Sequence, residues 1–220
     1  MMFRTRVLSG FAVAAAFAAG LTGCAGEGEL VVDQGVGITA VLSSCPSVGI
    51  PDYTGDVTTF GGSGATTSAN LDVSAAMTNL RSTCNEDGEK VYSEASFDVV
   101  ALRTDTRGAR SVTLPYFVTV LRGGTAVVTK RVGQVTLNFA DGATRATASG
   151  KAASFVDRAA ATLPEDIREK ITRKRRAGDV DAALDPLADS DVKAAIARSR
   201  FEMLIGFQLT EDQLKYNATR

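Results

Sequence analysis

STCNEDGEKVYSEASFDVVALRTDTRGARSVTLPYFVTVLRGGTAVVTKRV, from Ser82 to Val132, decides the fold class of this chain. Short runs rich in Val, Thr, Phe and Tyr alternate with turn residues, the pattern of antiparallel strands. Asp87-Gly88 is a tight-turn dipeptide joining a strand that ends at Cys84 to a long strand from Val91 to Arg103. In that strand Ala95, Phe97, Val99 and Ala101 fall on one face, and Glu94, Ser96 and Asp98 on the other. A second hairpin is expected around Arg107-Gly108 and a third at Gly123-Gly124. Pro115, in mid-run, asks for an edge position or a bulge, because it has no N–H for a ladder.

The signals continue outward in both directions. Upstream, GVGITAVLSSC alternates from Val36 through Ile38, Ala40 and Leu42, and YTGDVTTF reads as a second strand. A glycine-rich loop, FGGSGATTSAN, leads into LDVSAAMTNLRSTC, whose faces are harder to phase. Downstream, QVTLNFADGATRATASG reads as one more hairpin with Asp141-Gly142 at its tip. After Lys151 the pattern turns helical, with Pro164, Gly178, Pro186 and the pair Asp189-Ser190 as start and stop signals and Ile167 and Ile171 at helical spacing. FEMLIGFQL alternates again and reads as a strand returning to the sheet, with continued helix as the alternative. Thr210 and Gln213 form a capping box for a short last helix.

These signals give a mainly β fold with a helical C-terminal region. The spacing of seven or eight strands resembles an immunoglobulin-like or fibronectin-like antiparallel β-sandwich, in architecture alone, with a small β-barrel as the alternative. The sandwich is expected over 36–153 and the helical appendage, packed on it, over 154–220.

The first residues carry a different message. Arg4 and Arg6 precede an apolar run from Val7 to Leu21, then come Thr22, Gly23 and Cys24. The run is short for a membrane span and broken by Ser9, Gly10 and Gly20, so export is the better reading. Leu21-Thr22-Gly23-Cys24 resembles the lipobox of bacterial lipoproteins. The resemblance covers only the leader. It implies cleavage of 1–23 before Cys24, lipidation of the Cys24 thiol, acylation of the new amino terminus and a stable membrane anchor. An ordinary cleaved leader and an uncleaved signal anchor are the alternatives. Residues 24–35 then form a flexible tether. Ala25, where aspartate would favour retention at the inner membrane, points by the class rule to the periplasmic face of the outer membrane, that of the inner membrane being the alternative.

With Cys24 assigned to lipid, Cys45 and Cys84 remain, an even number in an oxidising compartment. A disulfide is expected, two buried free thiols being the alternative. The chain has no histidine and no tryptophan. Ser-His-Asp and Cys-His catalysis and His-ligated zinc or haem are therefore excluded, and no cofactor or metal is expected. Full-chain net charge is −1, which argues against nucleic acid as a partner.

Four candidate sites emerge. Arg168, Lys170, Arg173, Lys174, Arg175 and Arg176 could meet an anionic lipid, lipopolysaccharide or an acidic protein, the plainer reading being a solvated helix face offset by Glu165, Asp166 and Glu169. Glu86, Asp87 and Glu89 with Asn85 lack the spacing of a calcium loop and read as a hairpin turn. A Ser/Lys dyad or a carboxylate pair, the enzymes still allowed without histidine, lacks a Ser-x-x-Lys followed by its partner motifs, and Gly61-Gly62-Ser63-Gly64 lacks the lysine and helix that follow a phosphate loop. Asn217-Ala218-Thr219 has the form of a glycosylation sequon, by chance in an envelope protein of this kind. The expected function is that of a non-catalytic, lipid-anchored envelope protein, a structural or assembly accessory to another envelope component. A module for anionic lipid, lipopolysaccharide or peptidoglycan is the alternative. With 6% aromatic residues, ring-stacking on sugars is disfavoured.

Overall fold

One long β-hairpin, folded across its middle, organises the molecule. In the computed structural model, which describes residues 43–62, 66–176 and 178–220, β4 (Lys90–Arg103) pairs with β7 (Arg145–Asp157), and β5 (Arg110–Arg122) pairs with β6 (Ala126–Phe139). The tip of this ribbon is Gly123-Gly124, both with positive φ. Its middle bends so that β4–β7 lies in one sheet and β5–β6 in the other. β3 (Leu71–Asn85) and β2 (Asp56–Phe60) complete the first sheet in the order β2-β3-β4-β7. β8 (Phe201–Phe207) and β1 (Ser47–Gly49) complete the second in the order β1-β8-β5-β6, where β1 and β8 run parallel and all other neighbours antiparallel. The result is a sandwich of two four-stranded sheets, not a closed barrel.

The bend corrects two expectations. Arg107-Gly108 and Asp141-Gly142 are not hairpin tips but the two sides of one corner, because β4 and β5, like β6 and β7, lie in different sheets. Arg103 holds this corner together. Its guanidinium and Nε, in a side chain only 4% exposed, donate to the carbonyls of Ala143, Gly108, Thr106 and Ala140 at 2.7–2.9 Å. It stacks 5.2 Å over the Phe139 ring as well. Gly108 N–H donates to Asp141 Oδ1 and Gly142 N–H to the Thr106 carbonyl, so the crossovers are also tied to each other. Backbone groups that a hairpin would pair with each other are satisfied here by one cation.

The core lies between the sheets. Ala95, Phe97, Val99 and Ala101 are buried on the β4 face the alternation assigned to it, facing Leu114, Tyr116, Val135, Leu137, Met203, Ile205 and Phe207. Phe97 and Tyr116 meet edge to face at 5.0 Å between centroids, and each ring lies over a glycine of its cross-strand neighbour. A Cβ on Gly150 would sit 2.3 Å from Phe97, and one on Gly133 2.5 Å from Tyr116. The Tyr116 hydroxyl donates to the Lys151 carbonyl, linking the sheets.

Pro115 stands inside β5, a strand with neighbours on both sides, where the expectation was an edge or a bulge. Its carbonyl accepts from Gln208 N–H just beyond β8, so its nitrogen faces the side where β8 has already ended. No ladder bond is lost. The strand expected over 36–42 lies outside the described residues, and Ser43–Cys45 are not strand.

β7 runs on to Asp157, past the expected boundary at 153. Then come α1 (Arg158–Ala161), capped by Asp157, α2 (Glu165–Thr172) and α3 (Ser190–Ser199), capped by Asp189. Ile167 and Ile171 of α2 pack with Leu163, Val192 and Ala195, a small core separate from that of the sandwich. FEMLIGF returns as β8, the strand reading of that stretch. α4 (Glu211–Thr219) begins at Thr210 and Gln213 with the capping box in place.

Candidate functional site

Features that could serve a partner gather at one end of the sandwich. At this helical end β3 and β6 have their outermost residues, α1 and α3 pack, and the chain comes in at Ser43. Cys45 and Cys84 form a disulfide, Cα atoms 6.1 Å apart, that ties the segment leading into β1 to the far end of β3 in the opposite sheet. Glu86 accepts from Ser43 Oγ and, at 3.0 Å, from Cys45 N–H. The lead-in is thus held covalently and by a carboxylate. Cys24 and the tether 24–35 lie outside the described residues.

The acidic cluster behaves as a turn. Asp87 N–H is satisfied by Asn85 Oδ1, while Glu86 is committed to the lead-in. Sulfurs of Cys45 and Cys84 lie within 4.8 Å of a Glu86 oxygen, but joined to each other they are not thiolates and cannot ligate a cation as such. Asn217, of the apparent sequon, is 6% exposed and donates through Nδ2 to the carbonyls of Tyr53 and Asp56, each at 2.8 Å. It pins α4 to the loop before β2.

The basic run is not one helix face. Arg168 and Lys170 belong to α2, which ends at Thr172, and Arg173 to Arg176 follow in irregular chain. Arg168 pairs with Glu165, Arg173 with Asp181, and Arg175 Nε lies 3.5 Å from the same Asp181. Burial raises the Asp181 pKa, but the charge of Arg173, hydrogen bonds from its own backbone N–H and from Arg173, and the charge of Arg175 together outweigh it and leave the carboxyl below its usual range. Between residues 165 and 189 the chain has seven acids against six cations. Lys170, Lys174 and Arg176 alone make no ion pair among the described residues. A few residues further along the chain, Val180 is fully exposed and Leu184 is 66% exposed.

Sequence reading missed a second cationic feature because its charges are sparse. From Thr106 to Ala140, 35 residues, there is no Asp or Glu, yet there are five cations. Arg107 and Arg110 pair with Asp105 and Asp72, and Arg122 donates to the Arg198 carbonyl. Lys130 sits 5.6 Å over the Phe117 ring, and neither it nor Arg131 has a carboxylate partner among the described residues. Both are on β6, whose residues Ala126–Val132 are all exposed. The absence of acids along one hairpin was the available signal.

Compared with protein-family models, with curated proteins and with solved structures, the chain matches none of them.

Proposed function

We propose that this is a lipid-anchored cell-envelope protein, held through Cys24 at the periplasmic face of the outer membrane and acting without catalysis by binding another envelope component, as a structural or assembly accessory. The Cys45–Cys84 disulfide carries the reading. Such a bond persists in an oxidising compartment, the destination that a leader ending in Leu21-Thr22-Gly23-Cys24 implies. The absence of histidine from the whole chain favours binding over the commoner hydrolytic chemistries.

Mass spectrometry of the amino-terminal peptide from the membrane fraction tests it. An acylated peptide beginning at Cys24, together with release of Cys24→Ala from membranes, is the expected result. An unmodified peptide beginning elsewhere in membrane-derived protein overturns the anchor.

A second reading, contact with anionic lipid or lipopolysaccharide, is favoured by the exposed Val180 and Leu184 in the same stretch of chain as Lys174 and Arg176. Its measure is salt-sensitive binding to phosphatidylglycerol vesicles. If changing Arg173, Lys174, Arg175 and Arg176 together to serine leaves that binding untouched, the second reading is wrong.

A further inference from the structure

β6 is the edge of its sheet, and its first half is covered on neither face. Aligned sheets in a sandwich cross at an angle because each is twisted, so a corner of one can project past the other. Here that corner is Ala126–Val132. Near it Val120 of β5 and Phe201 of β8 still pack on Val156 of β7, whereas Val127, Val128 and Val132 are 64%, 50% and 58% exposed.

The ladder shows which backbone groups this edge offers. The Pro115 carbonyl points toward β8, so its neighbour across β5–β6, Gln134, belongs to a non-hydrogen-bonded pair and points its N–H and C=O away from β5. By alternation, Val132 (opposite Phe117) and Lys130 (opposite Thr119) also point outward, while Arg131 and Thr129 bond to β5. Outward N–H and C=O groups of Lys130 and Val132, flanked by valines, make a template for an added strand.

Charge selects the occupant. A second copy pairing antiparallel on the same edge would bring Lys130 and Arg131 of each copy against those of the other, and like charges across a strand pair are destabilising. With no acid from Thr106 to Ala140, the edge fits a strand that alternates apolar and acidic side chains. We infer that the open edge at Lys130–Val132 binds an extended apolar-acidic segment of a partner protein by strand addition to β6. This rests on the reading that the protein works by binding, and it names the chemistry of what is bound.

The test uses the full chain and a short blocked peptide alternating valine with glutamate, with a valine–lysine peptide as control. Hydrogen exchange and fluorescence anisotropy are the readouts. The acidic peptide should bind and slow exchange at the Lys130 and Val132 amides, leaving those of Thr129 and Arg131, already bonded, unchanged. Changing Lys130 and Arg131 together to Glu should weaken the acidic peptide roughly tenfold and let the lysine peptide bind, because the glutamates share one face and meet one of the two cations, where reversal exchanges an attraction for a repulsion. Val132→Pro removes an outward N–H without touching the bonds to β5, and should abolish binding while thermal unfolding shows the sandwich intact. Equal binding of both peptides, no slowing at Lys130 and Val132, or their protection in a self-associated form without peptide, would each overturn the proposal. The acylation of Cys24 is read independently, so loss of the anchor and loss of the β6 site are separable results.

Discussion

The two ends of this sandwich are built on opposite principles. At the corner end Arg103 gathers four carbonyls, Arg110 grips Asp72 with both terminal nitrogens, and Arg107 pairs with Asp105. Turns there are tied to turns. At the helical end a disulfide holds the incoming chain, and valines of β6, with Phe155 of β7, face solvent. One end bonds most of its turn groups to each other, with Leu102 and Arg145 exposed beside them, and the other keeps more apolar side chains, unpaired cations and a sheet edge available.

The largest effect expected from breaking this division is at Arg103. Replacing it with methionine keeps the bulk but leaves the carbonyls of Ala143, Gly108, Thr106 and Ala140 without their donor in a buried corner. A loss of about 4 kcal/mol is expected, since each orphaned buried group costs 1–3 kcal/mol and some will find water. Arg103→Lys should recover little, because an ammonium cannot span that fork. Denaturant unfolding of both variants checks this. A loss under about 1 kcal/mol would mean the corner is set by its turns and not by the cation.

The helical end has its own large term, of a different kind. Cys45→Ala with Cys84→Ala opens a closed loop with a sequence separation of 39 residues. Chain entropy puts the loss at ~4 kcal/mol, and real bridges commonly deliver less, so about 3 kcal/mol is expected. Reductant should destabilise the wild type by the same amount and leave the double variant unmoved. A smaller effect than at Arg103, with hydrogen exchange rising around Ser43–Ser47 but not at the corner, would sharpen the contrast.

Between the ends, Gly150→Ala tests the shared core. The added Cβ would meet Phe97 at 2.3 Å, and Phe97 cannot retreat because Tyr116 packs edge-on against it. Overpacking of this kind costs about 1–3 kcal/mol. Gly133→Ala should behave alike through Tyr116, with the added loss of its hydroxyl's bond to Lys151. Thermal unfolding of the two variants measures both.

Much of this was legible in the chain. Alternation from Ala95 to Ala101 gave the buried face of β4, and the oxidising-compartment argument gave the disulfide partners, because both depend on local pattern or parity. What was not legible depends on distant groups. Asp-Gly at 141–142 and Arg-Gly at 107–108 have the composition of hairpin tips, and only the position of Arg103, opposite both, makes them a corner. The same holds for the candidate sites. Six cations crowded into 168–176 catch the eye, yet one acid just beyond the run, Asp181, is folded back onto two of them. Lys130 and Arg131 look ordinary until the topology puts them on an edge strand with nothing acidic beside them.

The smallest expected effect concerns pH, and it should be felt at the corner end. Hydrogen bonds from Arg110 hold the Asp72 carboxyl below its usual range, and those from Arg107, side chain and backbone, do the same for Asp105. A carboxylate whose folded pKa is depressed adds stability that is complete above its unfolded value and is lost as pH falls through the folded one. The melting temperature should therefore hold steady from neutrality down to about pH 4 and fall below it. Asp72→Asn should flatten the first part of that fall and cost under about 1 kcal/mol at neutral pH, because Arg110 is partly exposed and water screens the pair. Bonds from Tyr92 and Lys151 also hold the Glu94 carboxyl, opposite Thr83, below its usual range, but there the disulfide keeps the chain closed whatever the protonation, so exchange in acid should rise first at the amides of Asp72 and Arg110 and last around Cys84. The reverse order would show that the corner, for all its bonds, is not what acid loosens.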